Sequence, residues 1–320
     1  MDQTSDILAL LRRLPGWEDR PVEIEPAIAV LASPSWRGVD GAPFIARDTE
    51  TGDSVFVKRL HEDTSFYIDP VQAFAAAKQA GDVGVGPRVL LSDPDARVLI
   101  TEHLGKGWRV AGLEHAADPD FVDRVLETRA RFSRAASLAP RADAFAEIES
   151  LHTRLVSEGA ATPPDMGWLC DTLMLAAERA TGTDEAPVAI HGDGNLSNVL
   201  FHSSGEIRLV DFDRAGMASP CEEIGTALVE MCAFEAGART AFLRCAAKAW
   251  NLPAEDEVFD RVRLYGIADD LRWAMIAMLM AHLSPRRIEH EFYKFGLWRH
   301  VRARASLRDP RFGEKLRICA

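Results

Sequence analysis

One stretch near the middle of the chain constrains the fold more than any other. Two apolar runs, residues 198–201 and 207–210, flank a short polar segment that contains Gly205. Strand-like runs joined by a short glycine-containing loop are typical of a β-hairpin. Because an antiparallel hairpin returns the chain to its starting point, the residues before the first run and after the second come together. The sequence therefore predicts that two polar segments meet here.

The polar residues at the two ends of this hairpin are suited to phosphoryl transfer. Asp193 and Asn198 stand at its start, and Asp211 and Asp213 stand at its end. Magnesium prefers hard oxygen ligands and usually takes one or two carboxylates together with phosphate oxygens. The spacing from His191 to Asn198 also matches the H-R-D-x-x-x-x-N loop of protein kinases, whose Asp orients the acceptor hydroxyl and whose Asn holds a metal ion.

The segment from Ile190 to Asp213 resembles the aminoglycoside phosphotransferase and choline kinase superfamily, whose motif is H-G-D-x-x-x-x-N followed by (I/V)-D-F-(D/E). The resemblance implies an α+β, protein-kinase-like fold with an antiparallel-sheet lobe and a larger, mainly helical lobe. It also implies ATP and Mg²⁺ as cofactors and a small-molecule hydroxyl as acceptor. The roles that it implies are base for Asp193, magnesium ligand for Asn198 and Asp211, and support for His191 and Asp213.

Two other interpretations of these residues stay open. His191 and Asp193 could belong to a transition-metal site, for which His152 and His202 would have to supply further ligands. Neither of those histidines stands at a recognisable ligand spacing. The polar cluster could instead be a solvated turn rich in Asn, Asp and Gly. That interpretation leaves the paired apolar runs and the aspartates at both ends unexplained.

Composition narrows the range of partners. The 320 residues are enough for one large or two medium domains, and 47% hydrophobic and 27% charged residues are ordinary for a globular protein. The net charge of −12 argues against nucleic acid or an anionic membrane as partner and is compatible with a cationic small substrate. Five cysteines without paired spacing predict reduced thiols and a cytoplasmic location.

The sequence predicts neither secretion nor membrane insertion. Its first six residues are polar and acidic, which is not the pattern of a signal peptide. The longest apolar stretch, Trp273 to Leu283, contains His282 and is too short to span a bilayer. We expect a buried helix there, no membrane partner, and a monomer or a homodimer.

Residues 1–102 are predicted to form the nucleotide-binding lobe. A small amphipathic helix over residues 4–14 precedes the strands. The loop over residues 32–41 contains Gly38, and such a loop lets backbone N–H groups approach phosphate oxygens. An ordinary hairpin loop has the same composition, so the function of this loop stays open. The predicted strands are Ala27–Leu31, Pro43–Arg47, Ser54–Arg59, Gly86–Leu91 and Arg97–Thr101.

Lys58 is the predicted phosphate-binding lysine. It ends a strand-like run, Val-Phe-Val-Lys, which resembles the Val-Ala-Ile-Lys strand whose lysine pairs the nucleotide phosphates in kinases. The family normally supplies a helical Glu as partner for this lysine, but the candidate position of the next helix carries Gln72. Either Gln72 binds Lys58 as a neutral partner, or Glu62 or Asp63 reaches it.

Residues 103–320 are predicted to form the larger, mainly helical lobe. Glu102 and Leu104 mark the hinge before it, where backbone groups would meet the adenine edge of ATP. After the hairpin the family usually carries D-P-x-x-D-L, whose second Asp steadies the catalytic loop. Here Ser219 and Glu223 replace the two aspartates, so we expect that brace to be longer or differently placed.

The acceptor site is predicted on the last two helices, which resemble those of bacterial choline/ethanolamine kinases. Aromatic faces recognise ammonium groups, and each contact contributes ~0.5–2 kcal/mol. The predicted acceptor-binding residues are Trp273, Asp269, Asp270 and Glu291. We expect a cationic amino alcohol such as choline or ethanolamine as acceptor. The alternatives are an aminoglycoside or another small hydroxylated molecule, and a nucleotide-binding scaffold with weak turnover.

Overall fold

The computed structural model describes residues 3–28, 30, 32, 35–180, 185–232, 235–286 and 288–312. These residues form the predicted α+β fold of two lobes. The first lobe is built on a five-stranded antiparallel sheet of order β1-β2-β3-β5-β4. Its strands are β1 Val22–Pro26, β2 Gly41–Asp48, β3 Ser54–Leu60, β4 Val89–Asp93 and β5 Val98–Glu102.

The first strand lies earlier in the chain than predicted. β1 pairs with β2 over Val22–Pro26, whereas residues 27, 28 and 30 of the predicted strand are not in a strand and residues 29 and 31 lie outside the described part. Valine, glutamate and isoleucine alternate along β1, and this period of two suits a strand with one solvated face. The continuous apolar run that follows lacks such alternation.

Helix α1 (Gln3–Leu11) covers one face of the sheet. Its Ile7 and Leu11 are fully buried in one hydrophobic cluster with Val55 and Val57 of β3. Because neighbouring residues of a strand point to opposite faces, Lys58 leaves the sheet on the face away from α1. That face is turned toward the second lobe.

Helix α2 (Pro70–Val83) begins where its sequence predicts. The Asp69 side chain accepts a hydrogen bond from Val71 N at 2.9 Å, and Pro70 takes the first helical position. Gly84, with a φ of 75°, ends the helix in the left-handed conformation that glycine adopts without strain. Gln72 therefore lies in the first turn of α2.

The second lobe is mainly helical, and its two longest helices, α9 and α10, pack along each other. Residues 273–280 of α9 are fully buried, which confirms the predicted buried helix over this part, whereas residues 281–283 are partly exposed. A π-helical segment, Phe242–Ala246, joins α7 to α8. The helices are α3 Pro119–Ala135, α4 Ala144–Glu158, α5 Met166–Ala180, α6 Pro220–Met231, α7 Glu235–Ala241, α8 Ala247–Ala249, α9 Asp256–Leu283 and α10 Glu289–Leu307.

The central hairpin forms as predicted. It consists of β8 (Val199–His202) and β9 (Ile207–Leu209), and β6 (Trp108–Val110) pairs with β8 on its other side. A separate ribbon pairs β7 (Val188–Ile190) with β10 (Gly216–Ala218). The sequence did not predict β6, β7 or β10, because a strand of three residues is too short for its alternation to be recognised.

Two further sequence expectations concern cysteines and membranes. Cys170, Cys221, Cys232 and Cys245 are free thiols, and Cys319 lies outside the described residues. None of the helices in the described part combines the length and apolar character needed to cross a bilayer.

Candidate active site

The hairpin brings the predicted phosphate lysine into contact with two aspartates. Lys58 Nζ donates a hydrogen bond to Asp213 Oδ2 at 2.6 Å and another to Asp211 Oδ1. Lys58 comes from β3 of the first lobe, and both aspartates follow β9 of the second. These ion pairs therefore join the two lobes across the cleft between them.

The three residues considered as partners of Lys58 lie elsewhere. Glu62 is exposed, and Asp63 binds Arg286 Nε at 2.8 Å. Among the described residues, the hydrogen bonds that Lys58 donates reach neither of them, nor Gln72. The structure thus corrects the expected partner, because the aspartates of the hairpin already surround the ammonium group.

The charges in the cleft shift the pKa values of its residues. Burial acts to lower the pKa of Lys58, but the charges of Asp211, Asp213 and Asp40 outweigh it and raise that pKa. Burial and the charge of Asp211 raise the pKa of Asp213 well above its ordinary value. Burial opposes ionisation of Asp211 too, but Lys58 lowers the pKa of this carboxyl. The cleft holds more carboxylates than cations, and a divalent cation would correct this imbalance.

Asp40 is a candidate site residue that the sequence did not reveal. Its Oδ1 accepts hydrogen bonds from Trp36 Nε1 at 3.0 Å and from the Tyr67 hydroxyl. Carboxylate oxygens of Asp40, Asp211 and Asp213 all lie within 4.8 Å of one another. Burial raises the pKa of Asp40, and the charge of Asp211 adds to the effect. The only sequence signal is an acidic residue at the end of the glycine-containing loop, which is unspecific.

Asp193 is held by its own loop. Its Oδ1 accepts a hydrogen bond from Asn195 N at 2.9 Å, and its Oδ2 accepts one from Asn198 Nδ2 at 2.8 Å. Burial raises the pKa of Asp193 to about 7, the Asn195 hydrogen bond opposes this rise, and the charge of Asp211 adds to it. A carboxylate with a pKa near neutrality is suited to take up a proton and release it.

Glu223 braces the catalytic loop, although the family carries an aspartate there. Its Oε2 accepts a hydrogen bond from Gly192 N at 3.1 Å, and its Oε1 accepts one from Arg129 Nε at 2.9 Å. Arg129 also donates to Asp193 O at 2.9 Å. Both side chains are almost fully buried. The longer glutamate side chain therefore reaches the loop, and Arg129 is a supporting residue that the sequence did not reveal.

His191 has the environment of a structural residue. It is fully buried, and its Nε2 donates to Val210 O at 2.9 Å. Burial lowers the pKa of His191 to about 4, and the nearby charge of Arg129 contributes. The imidazole is therefore neutral near pH 7. It packs against the Phe212 ring at a centroid distance of 4.6 Å and so supports the hairpin on which the aspartates stand.

The predicted magnesium ligands Asn198 and Asp211 lie at the start and the end of the hairpin. Val210 N donates to Asn198 O at 2.9 Å, so Asp211 lies one residue beyond the position opposite Asn198. The side-chain Nδ2 of Asn198 is used by Asp193, which leaves its Oδ1 for an ion. With the nearby carboxylates of Asp213 and Asp40, these hard oxygen donors fit Mg²⁺. No histidine or cysteine belongs to this donor set within the described chain.

Two of the predicted nucleotide contacts lie at or just beyond the end of β5, and the third lies in the loop before β2. Glu102 ends β5 opposite Val55, and its Oε1 accepts a hydrogen bond from Arg88 N at 2.8 Å. Leu104 lies two residues after Glu102 and is half-buried. Gly38 adopts a φ of 64°, which glycine tolerates better than other residues. These residues stay predicted nucleotide contacts.

Trp273 belongs to an aromatic cluster that joins the two lobes, formed by Trp36, Tyr67, Trp273, Phe292 and Phe295. The ring of Trp36 lies 5.0 Å from that of Phe295, 5.2 Å from that of Phe292 and 5.7 Å from that of Trp273, measured between centroids. Trp273 is 2% exposed. Within the described residues, its buried Nε1 has no hydrogen-bond partner. An unpaired buried N–H is uncommon in folded proteins.

The acidic residues predicted to bind the acceptor do not belong to the aromatic cluster of Trp273. Asp269 accepts from Arg272 at 2.7 Å, and Asp270 accepts from Arg299 at 2.9 Å. All four side chains are buried. Arginines therefore already pair with both carboxylates, and a role for these two residues in acceptor binding stays a prediction. Glu291 is exposed on α10, and the structure does not bring it into the aromatic cluster.

A buried ion-pair network lies beneath the catalytic loop. Arg272 Nη2 donates to Gly192 O at 3.4 Å, and Arg272 Nη1 contacts Glu147 at 3.5 Å. Glu147 also binds Arg214, which donates to Tyr67 O in the aromatic cluster. Burial opposes ionisation of Glu147, but Arg214 and Arg272 outweigh it and lower its pKa to about 2. The network thus connects the catalytic loop with the aromatic cluster.

A cavity with a volume of about 1090 Å³ lies in the second lobe. Glu230, Asp270 and Arg302 line it together with many apolar side chains. A Cβ placed on Gly194 would lie 3.0 Å from Glu230 Cγ, so the wall of the cavity touches the catalytic loop.

Phosphoryl transfer is the chemistry that these residues can perform together. The lysine across the cleft suits phosphate oxygens, the oxygen donors suit Mg²⁺, and the braced Asp193 suits the acceptor hydroxyl. Fold and cleft together define a phosphotransferase of the protein-kinase-like class. Residues 35–265 match the model of the phosphotransferase enzyme family. The chain belongs to this family of phosphotransferases.

Solved structures share the whole fold at low sequence identity. A choline/ethanolamine kinase family protein from Mesorhizobium loti is 20% identical, with a TM-score of 0.76 over 99% of this chain and 98% of that one. The choline kinase LicA from Streptococcus pneumoniae is 16% identical, with a TM-score of 0.70 over 89% and 92%. A GDP complex of aminoglycoside 2'-phosphotransferase-IIIa is 15% identical, with a TM-score of 0.64 over 96% and 99%. No curated protein matches the sequence.

Proposed function

We propose that the chain transfers the γ-phosphoryl group of ATP to the hydroxyl group of a small cationic amino alcohol, with Mg²⁺ as the metal. The observation that carries this proposal is that Asp40 contacts both the phosphate site and the aromatic cluster. Its carboxylate lies beside Asp211 and Asp213, and it accepts hydrogen bonds from Trp36 and Tyr67 of the aromatic cluster. The phosphate site and the aromatic cluster therefore adjoin.

The acceptor hydroxyl meets Asp193, which orients it and takes its proton. Two hydrogen bonds hold the carboxylate in place, and the brace of Arg129 and Glu223 fixes the backbone on either side. Positioning of this kind, and not a covalent intermediate, is the main contribution that kinases make to phosphoryl transfer. The raised pKa of Asp193 brings the proton affinity of this carboxylate closer to that of the acceptor hydroxyl.

On the nucleotide side, Lys58 and the hairpin hold the phosphates. Asn198 and Asp211 hold magnesium, which when bound neutralises the charge that develops on the phosphate oxygens. Lys58 is charged and already sits between two carboxylates. Phosphate oxygens compete with these carboxylates for its N–H donors, so the lysine passes from a pair with aspartate to a pair with phosphate when the nucleotide binds.

The aromatic cluster supports an ammonium group on the acceptor. A cation within about 6 Å of an aromatic centroid is attracted by the ring, and the attraction is larger when the site is desolvated. Trp273, Phe292 and Phe295 are buried and supply such faces. The arginine-paired state of Asp269 and Asp270 leaves the aromatic faces as the feature that selects a positive charge.

Two alternatives remain as proposals. The cavity of about 1090 Å³ beside the catalytic loop is large for an amino alcohol and would admit a bulky polyol such as an aminoglycoside. A scaffold with weak turnover is the other alternative, and the changed partner of Lys58 favours it. The assembled Asp193, Asn198 and Asp211 favour turnover, because a chain that only binds nucleotide does not need a braced base.

The test is a magnesium-dependent phosphorylation assay with ATP and a panel of acceptors: ethanolamine, choline, an aminoglycoside and a neutral sugar. We expect phosphorylation of at least one ammonium alcohol and none with Asp193→Asn under the same conditions. Phosphorylation of the aminoglycoside or the sugar alone would replace the amino-alcohol proposal. Nucleotide binding without turnover of any acceptor would favour the scaffold.

A further inference from the structure

Asp40 is a buried carboxylate that the charges of the protein leave unpaired. The residue is 8% exposed. In the described part of the chain it takes part in no ion pair, since Lys58 binds Asp211 and Asp213 instead. An aspartate is rarely buried without a paired cation, because removing a lone charge from water is costly. The environment of Asp40 therefore favours the binding of a cation from solution.

The two oxygens of this carboxylate have different surroundings. Oδ1 accepts hydrogen bonds from Trp36 Nε1 at 3.0 Å and from the Tyr67 hydroxyl. Among the described residues, no group donates a hydrogen bond to Oδ2. Carboxylates that bind metal ions are themselves oriented by hydrogen bonds of this kind. The orientation of Asp40 is thus fixed, and Oδ2 keeps its lone pairs for a ligand.

Asp211 and Asp213 complete a set of three carboxylates. One oxygen of each of the three aspartates lies within 4.8 Å of the other two. Oxygens that share one divalent ion lie up to about 4–5 Å apart, twice the metal–oxygen distance. Three ionised carboxylates exceed the single positive charge of Lys58 by two, which is the charge of a divalent cation. The Asp211 side chain is 26% exposed, so ions can reach the cluster from the cleft.

We propose that Asp40 is the first-lobe ligand of a divalent-cation site that it forms with Asp211 and Asp213, and that this site binds an ion before the nucleotide. Asp40 precedes β2 of the first lobe, whereas the other two aspartates follow the central hairpin of the second. Asp40 then joins the lobes through the ion, and Lys58 is freed for phosphate oxygens. The inference rests on the proposed function only in taking Mg²⁺ as the metal, and it requires no particular acceptor.

The experiment titrates the nucleotide-free protein with Mn²⁺, because electron paramagnetic resonance distinguishes free from bound Mn²⁺ without any turnover. We expect one ion per chain with a Kd of about 10⁻⁴–10⁻³ M, and Mg²⁺ should displace it. Asp40→Asn keeps the shape of the side chain and an oxygen acceptor for Trp36 but removes the charge. It should weaken Mn²⁺ binding by at least ~10–100-fold, the loss observed when residues that merely support a ligand are removed.

The matched control is Asp95→Asn, because Asp95 is an exposed aspartate of the same lobe, in the turn between β4 and β5. Its Mn²⁺ affinity should equal that of the wild type. Mn²⁺ should also raise the melting temperature of the wild type but not that of Asp40→Asn. If Asp40→Asn does not fold, Tyr67→Phe decides the matter. Loss of the hydroxyl that orients Asp40 should still weaken Mn²⁺ binding by ~10-fold.

Two results would overturn the inference. One is a wild-type protein that binds no Mn²⁺ without nucleotide. The other is unchanged Mn²⁺ affinity in Asp40→Asn or, where that variant does not fold, in Tyr67→Phe. Mn²⁺ binding that depends on Asp40, in a protein that phosphorylates no ammonium alcohol, would support the inference and remove only the proposed function.

Discussion

The phosphate site and the aromatic cluster lie side by side, yet they are built in opposite ways. Lys58, Asp211 and Asp213 form charged contacts, and both aspartates belong to one short motif. The aromatic cluster is apolar, and its members come from the first-lobe loop, the segment before α2, and the helices α9 and α10. In the phosphate site, local spacing on one hairpin specifies the aspartates, and folding adds only Lys58 from the first lobe. The aromatic cluster exists only after the whole chain has folded.

This difference reflects what each site must do. A metal ion and a phosphate chain need a few oxygen and ammonium groups at fixed positions, and a braced loop supplies them. An acceptor needs a volume of suitable shape, which any set of side chains of the right size can enclose. We therefore expect substitutions in the phosphate site to change rate or metal dependence, and substitutions in the aromatic cluster to change which acceptor is used.

The largest expected effect is on the phosphate side, at Asp193. Asp193→Asn keeps the shape of the side chain but removes the base, and kcat should fall by ~10²–10⁴-fold, equivalent to roughly 3–5 kcal/mol of barrier. Nucleotide affinity should be nearly unchanged. Steady-state kinetics and nucleotide titration measure the two quantities separately. Near-normal turnover in a folded variant would remove Asp193 from the mechanism.

The next largest effect is expected in the buried ion-pair network around Glu147, where a substitution should lower the stability of the fold. The folded-state pKa of Glu147, about 2, lies below its ordinary value of 4.5. A lowered carboxyl pKa adds stability that is complete above the unfolded-state pKa and is lost as the pH falls toward the folded-state pKa. The shift corresponds to about 3 kcal/mol of unfolding free energy. We expect Glu147→Gln to be less stable at pH 7 and this deficit to shrink as the pH falls below 4.5.

Denaturant unfolding at several pH values measures that deficit. The matched control is Glu149→Gln, since Glu149 lies on the same helix and is exposed. Its stability should follow the wild type at every pH. A deficit of Glu147→Gln that stays constant down to pH 3.5 would show that the arginine pairs of Glu147 do not hold its pKa down.

The two sites also differ in how many of their residues could be predicted from the sequence. The H-G-D spacing placed Asp193, Asn198 and Asp211 on one hairpin, and its side-chain contacts agree with that arrangement. Asp40 and Trp36 escaped prediction because no spacing links a first-lobe loop to a helix more than 200 residues later. The sequence also placed Asp269 and Asp270 beside Trp273 but could not show that Arg272 of the same helix and Arg299 of α10 would pair with them.

Asp211 provides a test of the metal side of the comparison. Asp211→Ala removes a proposed magnesium ligand, so the part of the ATP affinity that depends on magnesium should be lost. We expect a loss of at least ~10–100-fold, the range observed when residues that merely support a ligand are removed. Calorimetry with and without magnesium measures it. An unchanged magnesium dependence would move the ion to Asp213, for which Asp213→Ala is the corresponding variant.

The smallest effect is expected in the aromatic cluster, where Trp273→Leu keeps apolar bulk but removes the aromatic face and the indole N–H. Because cation–π contacts contribute ~0.5–2 kcal/mol each, KM for the acceptor should rise by roughly 2- to 30-fold, with KM for ATP unchanged. Trp273 is 2% exposed, so the melting temperature should fall too.

Trp17→Leu is the matched control, since Trp17 is 8% exposed and lies in the separate cluster beside α1. It should lower the melting temperature without changing KM for the acceptor. If both variants change stability and acceptor KM alike, Trp273 acts only through packing, and the aromatic cluster is a core that happens to adjoin the phosphate site.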